Sequence, residues 1–341
     1  MGTRFVWGVG THLIGARDNT LRLTQLADLG FTAFRDDVHW ANVEAQQSRY
    51  LVPAEWDAFV TSAASKGIRP LLILDYGNPL YGQGARPTNA ASIAAFAQYA
   101  KFMVQHFKGA RPIYEVWNEW RMDSPQDVRE YVALLSNTHR EIKHADPTAM
   151  VIAGGFGVRG VQALRWFVGA GGTKYVDAVS LHPYVHCESS SGPEGYVNLV
   201  KTMTDIVAKG PKRPLFLTEV GWPTHHGRCG ISEEEAATYL AEAYLSARCL
   251  PHVAGMWWYG LRNDGRNPLE REHNFGLLSA DFKPKAAAAV ARKIGGLNGT
   301  LVCKRYIGTS RQEALYQLDG HTLSFDTMTA RLLAAPTASS L

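Results

Sequence analysis

The sequence predicts a (β/α)8 barrel with a small C-terminal β appendage. Three observations carry that reading: a recurrence of short apolar runs, helix-like stretches between them, and a change of pattern after residue 295. Runs rich in apolar, β-branched or aromatic residues fall at 5–11, 31–38, 69–75, 112–118, 149–154, 176–184, 214–221 and 253–260. Strands alternating with helices imply βα units and a parallel sheet, and 341 residues suffice for eight such units. With 46% apolar and 19% charged residues the chain can bury a large core, which excludes disorder.

The first run begins almost at the first residue, and the stretches 89–108 and 231–249 carry apolar residues at helical spacing. Helix starts are marked by Ser124 before Pro125, and by Ser232 with Glu235 in a capping-box pattern. A last helix is expected near 283–295. Beyond it, LVCKRYIG, EALYQL and HTLSF read as short strands separated by Gly, Asp and Asn turns. The expected organisation is therefore a barrel at 1–297, a β appendage at 298–335 and a disordered tail at 336–341.

Gly155, Gly157 and Gly160 form a G-x-G-x-x-G between a strand and a helix, with Asp177 further on, which mimics a dinucleotide fingerprint. Asp177, however, stands at the amino end of its strand, whereas a ribose-binding acid belongs at the carboxyl end. The glycines are better read as a βα loop. The formal charge of +4 is spread without a long basic run, so no nucleic-acid partner is expected. No stretch reaches the 18 or more apolar residues of a membrane helix.

The four cysteines, Cys187, Cys229, Cys249 and Cys303, lack any C-x-x-C spacing. Cys187 and Cys229 follow neighbouring runs, which places their α-carbons within reach of a disulfide and implies export. A secreted or periplasmic protein whose export signal lies outside these residues is the expectation, and a monomer is expected as well.

In such a barrel the chemistry sits where strands end and βα loops begin. The fourth run ends Trp117-Asn118-Glu119 and the seventh ends Thr218-Glu219-Val220-Gly221-Trp222. Two inward carboxyls across the mouth can lie about 5 to 5.5 Å apart, the separation used by a retaining glycosidase. Proximity would split their proton affinities, with an ionised Glu219 as nucleophile keeping Glu119 protonated as the acid. No metal or cofactor is called for. Asn118 and Glu119 have opposite strand parity, so both reach the mouth only if the strand ends or bulges there.

With these segments, Ser180-Leu181-His182-Pro183-Tyr184 and Phe34-Arg35-Asp36 complete a pattern that resembles a clan A glycoside hydrolase. It is most similar to family 39 and its bacterial exopolysaccharide-hydrolase branch. The resemblance implies Glu119 as acid/base, Glu219 as nucleophile, Asn118 on the sugar 2-hydroxyl, and Arg35, His182 and Tyr184 around the nucleophile. Arg35 can hold Glu219 ionised or pair with Glu115 or Asp37 as barrel structure. Sugar sites are built from aromatic faces, and the candidates are Trp222, Trp257, Trp258 and Tyr76. The expected function is a β-glycosidase, endo-acting on a polysaccharide, with an exo-acting β-xylosidase-like enzyme as the alternative. Two readings of other classes stand beside it: a barrel that binds glycan without cutting it, and a zinc hydrolase built from His182, His186, Cys187, His225, His226 and Cys229.

Overall fold

A computed structural model describes residues 5–13 and 18–296, together with four strands between 304 and 333. Eight parallel strands close on themselves: β1 (Val6–Gly10), β2 (Ala33–His39), β3 (Arg69–Asp75), β4 (Ile113–Val116), β5 (Met150–Gly157), β6 (Ala178–His182), β7 (Leu215–Val220) and β8 (Val253–Trp258). β8 pairs back onto β1, with Trp7 opposite Met256 and Gly8 opposite Trp257, so no barrel edge is left open. The (β/α)8 expectation is borne out.

The helices lie where the caps place them. α1 (Asn19–Asp28), the short α2 (Trp40–Val43) and α3 (Ala54–Ser65) come first, and α4 (Ala90–His106) starts where the Asn89 side chain accepts from the Ser92 amide. α5 (Pro125–Ala145) has Pro125 in its first turn and a full capping box between Ser124 and Asp127. α6 (Val161–Gly169) and α7 (Pro193–Val207) follow. α8 (Glu233–Cys249) opens on the Ser232–Glu235 box, and α9 (Ala286–Gly296) closes the ring. β9 (Lys304–Ile307), β10 (Gln312–Leu318), β11 (His321–Asp326) and β12 (Arg331–Leu333) form an antiparallel meander. Tail residues 336–341 lie outside the described residues.

Two apolar layers result. The larger fills the space between strands and helices, and a smaller one fills the barrel interior: Ala33, Leu71, Ile73, Ile113, Ile152, Ala178, Phe216 and Trp257. Trp257 is the largest side chain of that plug, and it requires space on β1. A Cβ on Gly8 would stand 2.2 Å from its ring, so glycine is the residue that fits opposite it.

Side chains alternate along a strand, so the residue two positions beyond each plug residue faces inward one layer higher. From Ala33, Ile113, Ala178 and Phe216 this gives Arg35, Glu115, Ser180 and Thr218. All four are buried and all are polar. The barrel therefore carries a polar layer directly on an apolar floor, and that layer is the foundation of the mouth.

Candidate active site

Arg35 organises the mouth. Its Nε donates to Glu115 Oε2 at 2.7 Å, Nη1 to Glu219 Oε1 at 2.6 Å and Nη2 to Asn118 Oδ1 at 2.9 Å. Arg35 is 5% exposed and Glu115 0%, so charge and counter-charges are held out of water. Burial alone lowers the proton affinity of Arg35, but Glu115 and Glu219 more than reverse this and hold it well above its usual value. The sequence left Glu115 and Glu219 as alternative partners; the guanidinium takes both.

A second chain of hydrogen bonds runs from the polar layer upward. The Ser180 hydroxyl donates to Glu115 Oε1 at 2.7 Å and accepts from the Gly155 amide at 3.1 Å. Thr218 is hydrogen-bonded to Ser180, and since the Ser180 proton is committed to Glu115, Thr218 is the donor. Thr218 Oγ1 lies 3.1 Å and Arg35 Nη2 3.4 Å from His182 Nε2, while Nδ1 lies 2.8 Å from Glu119 Oε1. Burial lowers the proton affinity of His182, but Glu219 and the bond to Glu119 raise it above its ordinary value overall. For Glu119, burial raises the affinity, but the bond and charge of His182 lower it overall. Glu219 also approaches His182 Nδ1, to 3.6 Å.

The parity problem at Asn118 and Glu119 is resolved by where the strand stops. β4 ends at Val116, and Trp117 and Glu119 take positive φ values of 68° and 46°. The chain thereby turns Asn118 to Arg35 and Glu119 to His182. On β7, the register with β8 shifts between Leu217 and Val220, so adjacent Thr218 and Glu219 both reach the network. Tyr184 donates to Glu219 Oε2 at 2.8 Å. Burial first, then Glu219, keep its hydroxyl protonated well beyond the ordinary tyrosine range.

The glycines of the dinucleotide-like motif have a local purpose. A Cβ on Gly154 would lie 1.8 Å from the Trp117 carbonyl, and one on Gly155 would lie 2.7 Å from the His182 ring and 3.0 Å from Glu119 Cγ. Gly155 also adopts a φ of +58°. The glycines leave room for Glu119 and His182 to meet. Beside them opens a cavity of about 470 Å3, lined by Glu119, His182, Tyr184, Arg121, Arg159 and Arg271 among others.

Of the expected aromatic platforms, Tyr76 is at the mouth, 40% exposed, and its hydroxyl accepts from Asn118 Nδ2 at 3.1 Å. Trp222, Trp257 and Trp258 are corrected. They are 2%, 0% and 1% exposed, Trp257 as the barrel plug and the other two in the strand–helix layer, so none offers a face to a sugar. Tyr259, two residues beyond Trp257, reaches the mouth instead, 6.0 Å from Tyr184 between ring centroids. Parity from Trp257 was the signal that could have found it. Ser180 and Thr218 lay within the quoted motifs without a role, and the same parity places them.

Cys187 and Cys229 form a disulfide with α-carbons 5.2 Å apart, as expected, tying the loops after β6 and β7. The bond removes both thiolates from the candidate zinc ligands. Among the described residues, no helix is long and apolar enough to cross a membrane.

The family model for cellulase, glycosyl hydrolase family 5, matches residues 3–259. No curated protein matches the chain significantly. Among solved structures, a family 39 glycoside hydrolase from the gut symbiont Bacteroides cellulosilyticus WH2 is 25% identical, with a TM-score of 0.77 over 95% of this chain and 71% of that one. A monomeric β-xylosidase from Caulobacter crescentus CB15 is 17% identical, with a TM-score of 0.66 over 94% and 72%. A family 5, subfamily 18 enzyme from Streptomyces cattleya, solved with Manβ1-4GlcNAc, is also 17% identical, with a TM-score of 0.66 over 86% and 80%. The last two likenesses show the fold alone.

Replacing Arg35 leaves Glu115 buried without its cation. Arg35→Met should lower stability by about 3 to 5 kcal/mol in urea unfolding at neutral pH. An unchanged midpoint would mean that Glu115 does not depend on the guanidinium.

Proposed function

The chain belongs to glycosyl hydrolase family 5, the cellulase family, within a clan of retaining glycoside hydrolases acting on carbohydrate, and on that premise we propose that Glu219 is its nucleophile and Glu119 its acid/base. The observation that carries the assignment is the spacing. Oxygens of Glu119 and Glu219 and a nitrogen of His182 lie within 4.8 Å of one another, so the two carboxylates face each other closely enough to flank one glycosidic bond.

Each neighbour then has a task. Arg35 and Tyr184 donate to opposite oxygens of Glu219, which holds the carboxylate aimed at the anomeric carbon. Glu119, whose side chain is 54% exposed, faces the leaving group. As the glycosidic oxygen gains charge, the proton that Glu119 and His182 share across their 2.8 Å bond is delivered through Glu119 to the leaving oxygen, which leaves His182 neutral and Glu119 a carboxylate. In the second step Glu119 takes a proton from water, which attacks the glycosyl-enzyme. Asn118, fixed between Arg35 and Tyr76, is placed to bind the sugar 2-hydroxyl.

The reaction is assigned to an endo-acting β-glycosidase on a polysaccharide. Support comes from the 470 Å3 cavity beside Glu119, open space on the leaving-group side for more than a small aglycone. The Cys187–Cys229 bridge supports work in an oxidising compartment, outside the cytoplasm.

Three measurements test this reading. Glu219→Ala should lose activity by roughly 10^4-fold or more on every substrate, and azide should return the α-glycosyl azide. Glu119→Ala should still react with a substrate bearing a very good leaving group, then stall, and azide should release the β-azide. Inverted product from the wild type, or normal rates in both variants, would sink the pair. The second measurement is the alkaline limb of the pH–activity profile. The raised His182 should keep the dyad's proton above pH 6.5, and activity should fall as pH climbs through that raised value. In His182→Gln the limb should move to lower pH, because a carboxyl alone then holds the proton. A limb that stays in place would remove His182 from the proton path. The third is product sizing on a glycan panel, where polymer length should fall early. Release of monosaccharide alone from chain ends would favour the exo-acting, β-xylosidase-like alternative.

A further inference from the structure

Away from Glu119 and Glu219, a second group of ionisable side chains meets at the ends of β2 and β3. Asp37 stands two residues beyond Arg35 on the same strand face, His39 two beyond that, and Asp75 ends β3 in register with His39. A carboxylate oxygen from each aspartate and a ring nitrogen of His39 lie within 4.8 Å of one another. Asp75 is 0% exposed, and neither of its oxygens has a hydrogen-bond partner. Its near neighbour Asp37 is, when ionised, another acceptor. The guanidinium of Arg35 directs its three nitrogens to Glu115, Glu219 and Asn118, and the His39 ring faces the aspartate pair. A buried carboxylate facing a second one calls for a positive species between them, either a proton or a cation.

We propose that Asp37, His39 and Asp75 bind one divalent transition-metal cation of the Zn2+ type. The donor set decides the class. Two carboxylates and an imidazole suit first-row divalent ions, whereas Ca2+ takes six to eight oxygens. Three protein ligands at ~2.0–2.2 Å also leave a fourth position open, as at sites that bind an exchangeable ligand. The open side is the mouth. Asp75 is sealed behind, Asp37 and His39 are half-buried, and the Tyr76 ring lies 5.5 Å from the His39 ring at the rim. Water or a glycan hydroxyl would fill that position. The ion takes no part in the steps assigned to Glu119 and Glu219, so the site stands or falls independently of them.

The test is titration of chelator-treated protein with Zn2+ by calorimetry and with Co2+ by visible absorption. Wild type, His39→Ala and Asp75→Asn are compared, each checked for folding by circular dichroism. One ion per chain is expected to bind more tightly than ~10 µM, with Co2+ bands of imidazole–carboxylate coordination. Affinity should fall by about 100-fold or more in both variants, and Zn2+ should raise the melting temperature of the wild type alone. Equal stoichiometry and affinity in all three proteins would place the ion elsewhere and overturn the proposal. So would an absence of binding to the wild type together with a more stable Asp75→Asn, the behaviour of two aspartates that share a proton.

Discussion

The ion pairing of Arg35 is the constraint on which the rest of the mouth depends. Glu115 is fully buried and Glu219 nearly so, and the cation at hydrogen-bond distance offsets the cost of taking both carboxylates out of water. A lysine, whose three N–H donors radiate from one nitrogen, could not span a carboxylate below, a carboxylate above and an amide at the side as the three guanidinium nitrogens do. Because those partners belong to β4, β7 and the turn after β4, one side chain from β2 fixes the relative height of elements far apart in sequence. The guanidinium also sets the charge balance that His182 experiences, since it opposes the pull of Glu219 on the same proton.

Local backbone irregularity is concentrated where the functional groups must converge. Regular strands would send Glu119 away from Asn118 and Glu219 away from Thr218. The early end of β4 and the shifted register of β7 turn those pairs inward, and Gly154 and Gly155 supply the clearance for the turn after β4. Function here is built from departures near the strand ends, above an apolar plug.

Much of this was legible in the sequence. Periodicity placed the eight strands, and strand ends singled out Glu119 and Glu219, because those signals are local. The tryptophans were misread for a physical reason. Whether a residue of β8 points to the cleft, the plug or the helices depends on its height in the barrel, and that height is set by pairing with β1 and β7. Trp257 sits one layer too low, which the small residue opposite it on β1 shows only once the register is known. The contact of His182 with Glu119 was equally hidden, since it joins residues 63 positions apart.

The apolar plug has a consequence for the fate of an intermediate. With Trp257 and its aliphatic neighbours closing the barrel below the polar layer, a covalent glycosyl-enzyme formed at Glu219 would be reachable only from above. The molecule that ends the catalytic cycle must then enter through the same opening by which the leaving group departs. Water and a sugar hydroxyl compete at that single doorway, on equal geometric terms with respect to Glu119. The partition between cutting a glycan and rebuilding one is thus set by the traffic at the mouth, since the floor beneath it admits no separate supply of solvent.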